Sequence, residues 1–126
     1  MNGRTLILLA ALFGFVGVAC GAFGAHGLRG RLSAELLANW NTAAQYQMVH
    51  ALALFGTGIL LLMSPGRKLI ALSGVCFTAG IVIFSGSLYI LALTGHKWLG
   101  AITPIGGLSL LAGWLLLAIA SPKLKA

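Results

Sequence analysis

Apolar residues fall along this chain in four long runs, at residues 5–25, 42–63, 69–94 and 104–120, with polar and charged positions gathered between them. At a rise of about 1.5 Å per residue, each run reaches across a hydrocarbon core of about 30 Å, the last one barely. The pattern predicts an all-α membrane protein, residues 1–126 forming one domain of four transmembrane helices. The breaks have local causes. Ser64-Pro65-Gly66 is a turn signal, Gly95 suits the left-handed position that closes a helix, and Thr103-Pro104 reads as a cap followed by proline at the first helical position.

Residues 28–41 interrupt the pattern differently. Ser33 can cap a short helix with Glu35 in its first turn, and Leu32, Leu36 and Trp40 recur four apart, so one face is apolar. We read a short amphipathic helix lying in the membrane interface with Trp40 at headgroup depth. Extension of the second span is the alternative. The first run begins after Arg4 and holds Cys20, as a lipoprotein signal would. Yet Gly17 stands where such a signal needs Leu, Val or Ile, and the run is longer than a signal core, so it is expected to remain as a span.

Within the spans the small and polar residues share faces. Ala10, Gly14, Gly17, Gly21 and Gly24 form one stripe of about 80° on the first helix. Asn39, Tyr46, Gln47, His50 and Thr57 share an arc of about 100° on the second, Ala71, Gly74, Thr78, Ser85, Tyr89 and Ala92 lie on one face of the third, and the fourth carries Thr103, Gly106, Ser109 and Gly113. Four such stripes turned inward predict a four-helix bundle closed by small-residue contacts and interhelical hydrogen bonds, with Gly14, Gly17, Gly21, Gly24, Gly74, Gly106 and Gly113 as packing positions.

Composition excludes the ordinary soluble alternatives. The chain has 126 residues, 60% of them apolar, with eight Lys or Arg and one Asp or Glu. A soluble chain of this length carries roughly 32 charges. The formal net charge of +7 does not point to nucleic acid, because the cations form no block and instead flank the apolar runs. Arg4, Arg67, Lys68, Lys123 and Lys125 fall on one side of the membrane and Arg29, Arg31 and Lys97 on the other. That bias predicts cytoplasmic N- and C-termini for a protein of the bacterial inner membrane. Cys20 and Cys76 would lie roughly 22 Å and 10 Å from the same surface, too far apart in depth for a disulfide.

Polar groups are also uneven with depth. His26, Tyr46, Gln47, His50, Ser85, Ser87, Tyr89 and Thr103 all fall in the non-cytoplasmic half, within about 14 Å of that surface, whereas the other half is nearly all Leu, Ile, Ala and Gly. These eight form the candidate polar pocket. His50, about 10 Å deep on this count, is the ionisable residue of interest, because a neutral imidazole inside a membrane still needs partners for both nitrogens. Tyr46, Gln47, Ser85 and Tyr89 are within reach as candidates. A structural hydrogen-bond network, a ligand or proton site, and a contact with a partner protein all remain open for it.

The stretches GAFGAHGL (21–28), AAQYQMVHALAL (43–54), FSGSLY (84–89), ITPIGG (102–107) and AGW (112–114) resemble the YgdD-like family of small bacterial inner-membrane proteins. That family is also known as domain of unknown function 423 and has a eukaryotic branch called transmembrane protein 256. The resemblance runs over nearly the whole chain. It implies a four-span inner-membrane protein and no established activity, substrate or cofactor. The family's recurrent residues fall here at His26, Tyr46, Gln47, His50, Ser85, Ser87, Tyr89, Thr103 and Pro104.

Three functions compete. The first is a non-enzymatic accessory, scaffold or lipid-binding protein in the bilayer, as a homo-oligomer or a subunit of a larger membrane complex. The second is an oligomeric channel or transporter for a small solute, although the lone acid, Glu35, lies outside the spans and leaves no intramembrane carboxylate for proton-coupled export. The third is a redox subunit holding haem between His26 and His50, or a quinone headgroup at His50 and Tyr89. The two histidines differ in depth by about 10 Å, which disfavours a shared haem. No metal site, resident cofactor or catalytic set is expected from the sequence.

Overall fold

A computed structural model of the chain describes residues 1–124. Four α-helices carry the fold: α1 (Gly3–His26), α2 (Ala34–Met63), α3 (Lys68–Thr94) and α4 (Thr103–Ala120). All four are long and apolar enough to cross a membrane, α4 together with the short turns Lys97–Ala101 and Ser121–Lys123 at its ends. Lys125, which contributed to the charge bias, lies outside the described residues.

The helix ends follow local chemistry. The Asn2 side chain accepts the Thr5 amide at 2.9 Å and starts α1. The Ser33 hydroxyl accepts the Leu36 amide at 3.2 Å and starts α2, with Glu35 in its first turn. Gly66 at φ 82° and Gly95 at φ 73° take the left-handed conformation that ends α2's turn and closes α3. Pro104 falls in the first turn of α4 as expected, but Ile102 is the cap residue and the Thr103 hydroxyl is used elsewhere.

Residues 28–41 do not form a separate interfacial helix. Once Ser33 has capped it, nothing between Ala34 and Thr42 breaks a helix, and α2 continues for 30 residues to Met63. The predicted surface helix is therefore the first two turns of the second span. Trp40 is 5% exposed and faces the bundle. Its indole N–H donates to the Cys20 carbonyl at 2.8 Å, and its ring packs on Tyr89 and Phe23.

Each helix packs on its sequence neighbours, and both chain ends lie at one end of the bundle. We call this the terminal end and the opposite one the far end. α2 and α3 occupy the centre. α1 meets α3 over only a short stretch, where Leu6 covers Gly74, and α1 and α4 do not pack on one another. The main core, with Leu6, Leu54, Ile70 and Phe77 fully buried, fills the terminal half. A smaller cluster of Leu28, Trp40 and Ala92 closes the far end.

Most of the predicted packing glycines do meet a neighbour. A Cβ at Gly24 would strike the Trp40 ring, at Gly17 the Met48 sulfur, at Gly74 the Leu6 side chain, at Gly113 the Phe77 ring, and at Gly106 the backbone of Phe84. Gly14 and Gly21 depart from the expectation, since a Cβ at either would find nothing within 4 Å. The stripe is half used because α1 leans chiefly on one helix. Cys20 and Cys76 are free thiols, as their depths implied.

Candidate functional site

The polar side chains of the spans tie helix to helix, and most do so through a neighbour's backbone carbonyl. Gln47 stands at the meeting of α1, α2 and α3. Its Nε2 donates to the Phe13 carbonyl at 2.8 Å and its Oε1 accepts the Tyr89 hydroxyl at 2.8 Å. The Ser85 hydroxyl donates to the Ala43 carbonyl at 2.7 Å, joining α3 to α2. Ser87 and Thr103 share a bond of 2.6 Å between α3 and α4, one hydroxyl donating to the other, and the accepting hydroxyl gives its own proton to a carbonyl of its chain segment, Phe84 for Ser87 or Leu99 for Thr103. Each carbonyl that helps hold a helix thus takes a second donor from a neighbour, using its spare lone pair.

His50 is 6% exposed. Because α2 starts at Ala34, the ring sits about 24 Å along the helix, close to its midpoint. Its Nδ1 faces the Tyr46 carbonyl at 2.8 Å, and its Nε2 faces the Trp114 indole N–H at 3.1 Å. A carbonyl only accepts and an indole N–H only donates. The pair therefore fixes the neutral tautomer, with the proton on Nδ1 and the lone pair on Nε2. Of the partners expected from sequence, Tyr46 is present through its backbone, whereas Gln47, Ser85 and Tyr89 belong to other bonds.

The eight candidate residues do not form one pocket. Gln47 with Tyr89, Ser85, Ser87 with Thr103, and His50 are separate links of the interhelical network. His26 is exposed at the end of α1 and belongs to none of them. Tyr46 is 44% exposed. Its ring stacks beside His50 and leans on Phe84, and its hydroxyl makes no hydrogen bond among the described residues. The network also extends past the far half. Ser73 donates to the Gly113 carbonyl at 2.8 Å and Ser109 to that of Cys76 at 2.7 Å. Ser73, Trp40 and Trp114 belong to the network although they stand outside the polar stripes of their helices. An indole or hydroxyl inside a span, which must find a partner in hydrocarbon, was the available signal.

Among the described residues every buried side-chain nitrogen and oxygen is hydrogen-bonded, and no group of three His, Cys, Asp or Glu could hold a metal ion. One groove, of about 590 Å³, opens between α2 and α4 on the outside of the bundle, walled by Tyr46, His50, Phe84, Leu108, Leu111 and Trp114. It exists because α4 packs on α3 and touches α2 chiefly through the His50–Trp114 pair.

Residues 20–107 match the family model described as a protein of unknown function, DUF423. The chain is 42% identical over 120 residues to the UPF0382 membrane protein YwdK of Bacillus subtilis, covering 95% of this chain and 98% of that one. It is 48% identical to the UPF0382 membrane protein SH2409 of Staphylococcus haemolyticus, covering 95% and 97%. To the UPF0382 inner membrane protein YgdD of Escherichia coli K12 it is 38% identical, covering 99% and 95%. No solved structure matches the chain. With four membrane-length helices and relatives aligned from end to end, this chain belongs to the UPF0382, or DUF423, family of membrane proteins, whose function is not established.

Proposed function

We propose that this protein is a non-enzymatic membrane component that holds a lipid-like molecule with an uncharged, hydrogen-bonding headgroup in the groove between α2 and α4. The observation that carries this reading is the half-exposed Tyr46 phenol, open to the groove beside a His50–Trp114 pair that is already satisfied. A free hydroxyl donor facing hydrocarbon favours an acceptor such as a carbonyl. The depth argues for the headgroup type. Trp114 lies about 16 Å along α4, where a phosphate would be costly and a quinone or diacylglycerol headgroup would not. The filled core, with Leu6, Leu54 and Phe77 fully buried, supports binding at the surface of the bundle over conduction through it. Haem between His26 and His50 gains no support, since one is at the far end and both nitrogens of the other are engaged.

Native mass spectrometry of the full chain, titrated with decylubiquinone and with dioleoylglycerol, tests the reading. One of the two is expected to remain bound, and Tyr46→Phe is expected to weaken it about fivefold, the equivalent of one hydrogen bond of about 1 kcal/mol. Retention of neither probe, or equal retention by wild type and Tyr46→Phe, would reject the groove as a site.

A second reading, association of two copies through α1, is supported by Gly14 and Gly21, which leave open space beside the exposed Val18. Small residues of this kind let membrane helices approach closely. A Cβ at either position meets nothing within 4 Å of the same chain, so the double variant Gly14→Leu, Gly21→Leu should convert a dimer mass to a monomer mass while the chain stays folded. A monomer already in the wild type would remove this reading.

A further inference from the structure

The terminal end carries charge of one sign around a groove. Met1, Asn2 and Gly3 from the start of α1, Leu61 and Leu62 from the end of α2, and the 65–68 turn enclose about 440 Å³. Arg67 and Lys68 are among its lining residues, and Arg4 follows Gly3 on α1. The Arg67 guanidinium also donates to the Lys123 carbonyl, which pins the turn to the end of α4 and holds its charge in place. A second, smaller groove of about 210 Å³ lies across the same turn and is bordered by Arg67, Lys68 and Lys123. The chain's lone acid, Glu35, is in the first turn of α2, at the far end. Among the described residues no acidic side chain therefore offsets these cations. The first turn of α3 adds to the same field, because Arg67 at its cap position makes no side-chain cap and leaves the leading amides open.

We infer that this groove is a binding site for an anionic phospholipid of the leaflet at the terminal end, its phosphodiester held by Arg67 and Lys68. Its acyl chains lie against Leu61, Leu62 and Ala71. Charge complementarity selects the headgroup, and the apolar walls select a lipid over a free anion. Basic pockets between spans on the cytoplasmic side bind such headgroups, so the site also requires both termini to face the cytoplasm, in keeping with the cation bias. It shares no residue with the α2–α4 groove and stands or falls independently of it.

The test is native mass spectrometry of the full chain, exchanged into zwitterionic detergent and titrated with dioleoylphosphatidylglycerol or dioleoylphosphatidylcholine. The phosphatidylglycerol adduct is expected to dominate at equal concentration. Lys68→Gln, which keeps the Arg67–Lys123 contact, should weaken it about fivefold, and Arg67→Gln with Lys68→Gln about 25-fold. Arg29→Gln with Arg31→Gln, at the far end, should leave it unchanged. Equal retention of the two lipids would overturn the site. So would equal weakening by the two pairs of substitutions, which would reduce the effect to net charge. Displacement of the lipid by glycerol 3-phosphate at similar concentration would reassign the groove to a soluble phosphate and overturn the lipid assignment.

Discussion

Gly106→Ala is expected to lower stability in detergent by about 3 kcal/mol, the upper end of the usual cost of overpacking. The added methyl would fall on the backbone nitrogen, Cα and Cβ of Phe84, and none of these can rotate away. α4 would have to lift from α3 along the seam where Thr103 bonds Ser87, three residues earlier. Gly113→Ala is a milder case, because the obstacle there is the Phe77 ring, which can shift at the expense of its contact with Trp114. Gly14→Ala supplies the contrast, with nothing within 4 Å of its added methyl. Since alanine favours a helix over glycine by up to about 1 kcal/mol, Gly14→Ala should melt at or slightly above the wild type. Thermal melts of the three variants in one detergent check the order. If Gly106→Ala melted with Gly14→Ala, the close approach of α3 and α4 at that level would be wrong.

The contrast also marks how far a sequence can be read. The four spans were legible because apolar runs and the Ser64-Pro65-Gly66, Gly95 and Pro104 breaks are written in side chains. The start of α2 was not. The apolar run stops at Thr42 because Asn39, Asn41 and Glu35 are polar, but the helical backbone has no reason to stop there and continues back to Ser33. Helical periodicity placed Gly14, Gly17, Gly21 and Gly24 on one stripe. It could not say that α1 has only one close neighbour, so that half the stripe stays open. The polar residues were found, but their pairing was not. Gln47, Ser85, Trp40, Ser73 and Ser109 all donate to carbonyls, of Phe13, Ala43, Cys20, Gly113 and Cys76. A backbone acceptor leaves no mark in the residue that carries it, so a reading that pairs side chains with side chains looks for partners in the wrong place.

His50 is where the network and the groove meet, and its replacement separates them. His50→Ala is expected to cost about 2–3 kcal/mol. About 1 kcal/mol of that is the bond to Trp114, and the rest is the space left beside Phe77 in a core that α2 cannot collapse to fill. Trp114→Phe removes the same hydrogen bond from the other side and keeps most of the ring. The two losses should therefore not add, and a double-mutant cycle should return a coupling of about 1 kcal/mol. The Tyr46 carbonyl is less exposed to the change, because it keeps its place in the α2 hydrogen-bond ladder when the imidazole is gone. A coupling near zero would mean that the imidazole and indole are neighbours without a bond, and the fixed tautomer would lose its basis. If His50→Ala instead melted like the wild type while decylubiquinone or dioleoylglycerol binding vanished, His50 would contact the occupant of the groove rather than hold α4 to α2. The expected result is the reverse. The melt falls with His50→Ala, and Tyr46→Phe, which leaves every buried bond in place, weakens the probe at nearly unchanged stability.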